Sequence, residues 1–430
     1  MDSSVKRHQS SVGVGVQSDS TRSVSSASGL ENALATANRM AALEPSATLA
    51  MAARASSMAS SGVCVIDLSV GEPDFPTPTH ICQAAIEAMH AGKTKYTPAA
   101  GIPELRSAVA RDYSRRSGLS ISAANVVISN GAKHALHNVF TSLLNPGDEV
   151  IVPAPYWVSY AEVIKLSGAQ PIFVETRLED DFKLQPEVFR RAITKASRMF
   201  LICTPSNPTG TVYSKEELGV LADIAIDANL SIVSDEIYDQ LVFDGGKAVS
   251  FPTLRKNLEQ RTVVVAGVSK TYSMTGWRIG WSISPEPLAK AIGNLQSQET
   301  SSPSSISQHA ARAALDGPQE CVAAMLHEFQ NRRTFVADRL AAMPGVRVPH
   351  IGGAFYAFFD IRPMLGRTYA GNRISTSSQW CEALLEQHHV ATVAGSAFGC
   401  EGHVRMSFAS SKEKLSEGLS RIESFLAQSE

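Results

Sequence analysis

The chain lacks any strong excess of charge. Its 39 lysines and arginines against 41 aspartates and glutamates leave a formal net charge of −2 over 430 residues, too little basic surplus to neutralise a nucleic-acid backbone or an anionic bilayer. Nucleic acid and membrane surfaces are thereby excluded as default partners, and small molecules are favoured. Cysteine is sparse: Cys64, Cys82, Cys203, Cys321, Cys381 and Cys400 stand far apart with no C-x-x-C pair. That excludes a disulfide framework and paired-cysteine metal motifs, and it suits a reducing compartment with no metal expected. No apolar run approaches the roughly 18 residues of a membrane-spanning helix, and no apolar core of a secretory signal stands at the N-terminus. Aromatic residues are missing from residues 1–29, of which about one-third are serine. That stretch reads as a disordered tail or, alternatively, as a transit peptide, so the expected localisation is cytoplasmic with an organelle as the other option.

What is present is the composition of an ordinary globular protein, 44% hydrophobic and 19% charged. A chain of this length exceeds one core, which rarely grows past roughly 250–300 residues, so two domains are expected. Short β-rich runs recur at Val126–Ile128, Glu149–Val152, Pro171–Val174, Met199–Ile202, Ser231–Val233, Thr262–Val265 and Ile279–Ile283, with helical patterns between most of them. They predict an α/β fold: a seven-stranded, mainly parallel sheet covered by helices, which places ligands at the carboxyl ends of its strands. Leu105, Val109 and Tyr113 mark a helix before this region, and an amphipathic run from Ala323 through Leu340 marks one after it. Strands around Phe355–Phe359 and Val404–Phe408 belong to a smaller α/β domain built from both chain ends. The expected division is a tail at 1–29, the small domain at 30–79 and 326–430, and the large domain at 80–325.

The run Ser269-Lys270-Thr271-Tyr272-Ser273-Met274-Thr275-Gly276-Trp277-Arg278-Ile279-Gly280 follows an apolar strand. A lysine at such a strand end forms a Schiff base only if it deprotonates easily, which partial burial beside a cation such as Arg278 would favour. A single lysine after a strand is by default a surface lysine. Arg278, with Ser269 beside the lysine, changes that balance, because a guanidinium and hydroxyls are what a doubly charged phosphate requires. The segment resembles the fold-type I aminotransferases of the aspartate aminotransferase family, whose pattern S-K-x-x-x-M-T-G-W-R-x-G it matches in full, and further motifs extend the resemblance over residues 35 to 425.

That resemblance implies pyridoxal 5′-phosphate (PLP) as cofactor, held by Lys270. Gly131, Ala132 and Lys133, in a strand-to-helix turn, match the loop that meets the phosphate at a helix N-terminus. Trp157 matches the residue that stacks on the pyridine ring, a position otherwise explained by core packing. Asn207, in Asn207-Pro208-Thr209-Gly210, and Tyr238 match donors to the phenolic oxygen. Asp235 matches the carboxylate that pairs with the pyridinium nitrogen and keeps the ring an electron sink. Tyr96 matches a tyrosine that reaches the phosphate of a neighbouring subunit, which implies a homodimer.

On the substrate side, Arg405 matches the arginine that clamps the α-carboxylate, and Gly71 matches a backbone approach to the same group. Lys133 with Ser46 and Thr48 resembles the pocket for a second carboxylate in the bacterial-type aspartate and prephenate branch. The implied reaction is ping-pong transamination between aspartate or glutamate and a 2-oxo acid such as 2-oxoglutarate, with Asn207 also at the substrate. Prephenate or a broader donor range is one alternative, and PLP-dependent β-elimination on the same scaffold is another. A PLP-binding regulator would need a DNA-binding segment, and residues 1–29 hold no such pattern. Glu299, in a Gln/Ser/Thr-rich stretch, has no place in this scheme.

Overall fold

A computed structural model describes residues 36–428; the serine-rich stretch at 1–29 lies outside the described residues. After a short β1 (Ile66–Asp67), the seven anticipated runs become β2 (Val126–Ser129), β3 (Glu149–Ala154), β4 (Gln170–Glu175), β5 (Ser197–Cys203), β6 (Ser231–Asp235), β7 (Thr262–Gly267) and β8 (Gly280–Ile283). They form one sheet in the order β2-β8-β7-β6-β5-β3-β4. Strand β8 runs antiparallel to both its neighbours, and the remaining pairs are parallel.

Burial explains the order. Every residue of β7 is buried, as a strand covered on both faces requires, whereas β4 at the edge leaves Gln170 and Glu175 exposed and so offers polar ends to solvent. The helices preceding the smaller unit are α1 (Ala47–Ser60), α2 (Thr79–His90), α3 (Pro103–Ser117), α4 (Ala132–Leu143), α5 (Ser159–Leu166), α6 (Pro186–Ala192), α7 (Lys215–Asp227), α8 (Glu286–Glu299) and α9 (Ser305–Asp316). Strand side chains alternate between faces. Val150 and Val152 pack with Phe140 of α4, Ile164 of α5 and Ile292 of α8. Ile151, between them, packs with Phe189 of α6 and Leu218 of α7. Leu105, Val109 and Tyr113 are buried on α3, as their spacing predicts.

Helix α10 (Glu320–Ala341) covers the anticipated amphipathic run and connects two cores. Its Val322 packs with Ile81 and Leu105, while Phe329, Val336 and Leu340 enter the core of the smaller sub-domain. That sub-domain holds β9 (Tyr356–Asp360), a small hairpin of β10 (Thr368–Tyr369) and β11 (Asn372–Arg373), α11 (Ser377–His388), β12 (Val390–Ala391), β13 (Val393–Ala394), β14 (His403–Ser407) and α12 (Lys412–Ala427). Strands β13, β14 and β9 form an antiparallel sheet in that order. Both chain ends meet here: β1 pairs in parallel with β12, and Ala55 of α1 packs on Leu385 and Ala391.

Candidate functional site

Strands β2, β3, β5, β6 and β7 point their carboxyl ends the same way, and the loops that follow them converge on one cavity of ≈ 330 Å³. This is the crevice that an open α/β sheet offers to ligands. The cavity brings together Lys270, Ser269, Asp235, Tyr238, Asn207, Trp157, Ala132, Lys133, Arg278, Gly71, Arg405, Ser46 and Thr48, which the sequence scatters over some 360 positions. Gly131 adjoins it through Arg278. Tyr96 does not line it: its side chain is 93% exposed, in a segment exposed from Ala91 to Tyr96.

On the floor, Asp235 closes β6 and is buried. Its Oδ2 accepts a hydrogen bond from Tyr160 Oη at 2.6 Å and its Oδ1 accepts one from Ile237 N at 3.1 Å. Burial pushes the carboxyl up to about 6, against these two donors and the Lys270 charge, which pull it down. A carboxylate raised in this way is short of a cationic partner. Lys270 Nζ donates to Gly71 O at 2.7 Å. Burial lowers its ammonium to about 8; Glu72 acts in the opposite sense, and Arg278 and Arg405 reinforce the drop.

Arg405 is 2% exposed on β14. Its Nη1 donates to Asn207 Oδ1 at 3.0 Å and its Nη2 donates to Ser69 O. The guanidinium stacks over Tyr356 and Phe398 at 4.6 and 4.8 Å. Its Nε is buried without a hydrogen bond among the described residues. The hydroxyls of Tyr238 and Tyr356 are 2.8 Å apart. Gly71 must be glycine, because a Cβ there would lie 2.1 Å from Tyr356 Oη.

At the other end of the cavity, Gly131 has φ +86°, and a Cβ would lie 2.5 Å from Arg278 Nη2. A backbone concavity at the N-terminus of α4, faced by a guanidinium, fits a phosphate. Arg278 itself has φ +58° and donates from Nη1 to Thr275 O at 2.9 Å. Lys133 Nζ lies 5.2 Å from the centre of the Trp157 ring, and burial followed by Arg278 lowers its pKa. Trp157 meets Tyr160 edge-on, with ring centres 5.4 Å apart. Ser46 caps α1, its side chain accepting from Leu49 N at 3.4 Å.

Three features escape sequence reasoning. Tyr160 lies on the first turn of α5, three residues past Trp157 in the preceding loop, and its N–H donates to Trp157 O at 2.9 Å. Tyr356 opens β9, recognised only as a strand. Glu72, beside Gly71, accepts a hydrogen bond from Thr275 and ties the two chain segments at the Lys270 edge. Glu299 also acquires neighbours: Oε1 lies 3.1 Å from His137 Nε2 and Oε2 lies 3.6 Å from His134 Nε2.

A doubly covered α/β sheet with a lysine, a buried carboxylate and a phosphate-shaped concavity at its strand ends defines a PLP-dependent enzyme of fold type I. The family model for aminotransferase class I and II matches residues 63–422. An aspartate aminotransferase of Geobacillus stearothermophilus is 45% identical over 390 residues, covering 91% of this chain and 98% of that one. An aspartate/prephenate aminotransferase of Nitrosomonas europaea is 41% identical over 392 residues, covering 90% and 99%. The crystal structure of the aspartate aminotransferase from Rhizobium meliloti superposes with a TM-score of 0.89 at 40% identity, covering 92% and 100%. The chain belongs to the class I and II aminotransferases, in their aspartate aminotransferase-like, aspartate/prephenate branch. It is an enzyme that uses PLP to exchange an amino group between an amino acid and a 2-oxo acid. No helix among the described residues is long and apolar enough to cross a membrane.

Proposed function

We propose that the enzyme prefers dicarboxylic substrates, aspartate or glutamate with 2-oxoglutarate, and that Lys270 is its catalytic residue. The observation that carries the preference is the mouth of the cavity, where the Lys133 ammonium shares a wall with Ser46 and Thr48 while the Arg405 guanidinium lies buried at the floor. Two separated cationic sites suit a substrate with two carboxylates. A solved relative, the aspartate aminotransferase from Thermus thermophilus, was crystallised with maleate, itself a dicarboxylate, and has a TM-score of 0.86 to this chain. Prephenate also carries a second carboxylate, and the relative in Nitrosomonas europaea named for both substrates supports testing it.

Bound PLP supplies an aldehyde carbon for covalent capture of an amine and a ring that accepts electrons. The chain's own residues do the rest. Gly131, Ala132 and Lys133 offer backbone N–H groups to the phosphate, with Ser269 and Arg278 opposite. Trp157 would provide a flat wall for the ring, Asp235 would hold a proton on its nitrogen, and Asn207 and Tyr238 would donate to its phenolic oxygen. Arg405 and the Gly71 backbone fix the substrate α-carboxylate and so decide which Cα bond is aligned, with Asn207 bracing the arginine. The Lys270 amine is the base placed to take up the Cα proton, and an amine near 8 suits that task at neutral pH. The exposed Tyr96 belongs, on this reading, to the phosphate site of a second subunit in a homodimer. A cytoplasmic location agrees with six free cysteines.

The test is to follow absorbance of the PLP-loaded enzyme between roughly 300 and 500 nm on adding aspartate, glutamate, alanine or phenylalanine. Conversion to the pyridoxamine form by the two acidic substrates at far lower concentration is expected. Equal response to alanine would reject the dicarboxylate preference, and release of pyruvate with ammonia would show β-elimination instead.

A further inference from the structure

The last turn of α8 contacts β2 and α4, the elements that flank the Asn130–Gly131 loop, at two heights. Gln296 is fully buried beneath it: its Oε1 accepts from Ser129 Oγ at 2.7 Å and Asn138 Nδ2 at 3.0 Å, and its Nε2 donates to Ile128 O at 2.7 Å. Three residues on, Glu299 faces His137 Nε2 at 3.1 Å and His134 Nε2 at 3.6 Å. The opposite edge of the His134 ring takes a hydrogen bond from the loop itself, Asn130 N donating to Nδ1 at 3.2 Å. A ring nitrogen that accepts carries no proton, so this network assigns the His134 proton to Nε2, on the side of Glu299. Nε2 is buried and makes no hydrogen bond among the described residues, which leaves the Glu299 carboxylate as the charge it faces. Burial, the leading influence, lowers the His134 pKa and favours this neutral form. A carboxylate ending a helix also opposes the helix dipole, and α8 has no basic residue in its last turn. The two imidazoles of α4 supply the positive edges that Glu299 needs.

We propose that Glu299 and His134 are a positioning pair that holds the Asn130–Lys133 loop in the shape that receives the cofactor phosphate. The proposal rests on the reading of that loop as the phosphate site. Asn130 immediately precedes Gly131, whose φ of +86° leaves the chain free of side-chain restraint at the concavity. The His134 acceptor holds the Asn130 amide, and the Glu299 carboxylate, 3.6 Å from Nε2, favours the ring orientation that turns this edge toward it. Neither side chain lines the cavity, so the pair acts through the loop and not on the reacting atoms.

The experiment is a titration of cofactor-stripped enzyme with PLP and with pyridoxal, which lacks the phosphate. Glu299→Ala and His134→Ala are expected to weaken PLP binding about 5- to 10-fold and pyridoxal binding less than about twofold. The double variant should bind PLP about as well as His134→Ala alone, because both changes break one chain of contacts. His134→Gln, which keeps an acceptor and a donor on its side chain, should recover most of the affinity. Unchanged PLP affinity overturns the proposal, as does an equal loss for PLP and pyridoxal, which would indicate general loosening. A wild-type enzyme that binds pyridoxal as tightly as PLP would instead remove the phosphate site on which the proposal stands.

Discussion

The floor and the mouth of the cavity are built from different materials. On the floor, Asp235 at the end of β6, Tyr238 in the turn after it, Tyr160 on α5 and Arg405 on β14 are all buried, and each holds another of the set or a neighbour at hydrogen-bond distance. At the mouth, Ser46, Thr48 and Leu49 come from the start of α1, Leu49 is 66% exposed, and the Lys133 ammonium lies over the face of Trp157. A buried, interlocked set resists reorganisation and can orient charge for chemistry. A partly exposed set at the start of α1 contributes weaker, screened interactions, suited to choosing among substrates. Changes on the floor should therefore reduce turnover, whereas changes at the mouth should alter preference.

Lys270→Ala gives the largest expected effect, a loss of at least about 10⁴-fold in turnover, because both the cofactor anchor and the base disappear. Single-turnover kinetics with PLP-loaded variant would measure it. Asp235→Asn should follow, at about 10²- to 10³-fold in kcat with much less change in KM, since the lost charge acts on the reacting ring and not on ground-state substrate. An equal rise in KM would contradict the division between floor and mouth.

The Lys270 ammonium makes a pH prediction. With the group near 8, held down by burial foremost and by Arg278 and Arg405, and held up by Glu72 and Asp235, the neutral amine grows about tenfold per pH unit below that value. The rate at which cofactor-stripped enzyme captures PLP should climb from pH 6 and level off near 8. A rate still rising at pH 10 would mean that Lys270 keeps the ordinary lysine range and that the floor does not desolvate it.

How much of this was legible depended on whether a residue's task is local. Strands β3 and β7 announce themselves as unbroken apolar runs because both of their faces are covered, and Lys270, Asp235 and Asn207 sit at strand ends in strings specific enough to recognise. Strands β1 and β12 contain two residues each, too few for any period, so the pairing that unites the chain ends left no trace. Tyr160 was hidden for another reason. Its place on α5 is visible, but its bond to Asp235 spans 75 residues and exists only because α5 packs over the end of β6. Glu299 likewise meets His137 across 162 residues.

Tyr160 offers a finer test of the floor. Its hydroxyl is one of two donors pulling the Asp235 carboxyl down, so Tyr160→Phe should raise that pKa further and cost about 10- to 30-fold in kcat. The sign is set by Asp235 acting as an anion: with one donor gone it protonates at higher pH, and the acid limb of the kcat profile should move toward neutrality. An unshifted limb with reduced kcat would make Tyr160 a packing residue only.

The smallest expected effect belongs to the mouth and tests the comparison most directly. Lys133 stands both at the α4 N-terminus and on the wall shared with Ser46 and Thr48, so Lys133→Met could weaken cofactor and substrate binding together. The ratio of kcat/KM for aspartate to that for alanine, taken on PLP-saturated enzyme, cancels any effect common to both substrates. Losing one partly exposed charge-assisted contact to the second carboxylate should lower this ratio about 5- to 10-fold. Ser46→Ala should lower it less, about twofold to threefold, because a hydroxyl that also caps α1 contributes a neutral hydrogen bond at most. Raising salt from roughly 0.05 to 0.5 M should shrink the Lys133 effect and leave the Asp235→Asn defect unchanged, since screening acts on the exposed pair far more than on the buried carboxylate. If instead the aspartate-to-alanine ratio holds constant in Lys133→Met while both rates fall, Lys133 serves the phosphate alone, and the second carboxylate is read by residues outside the wall it shares with Ser46.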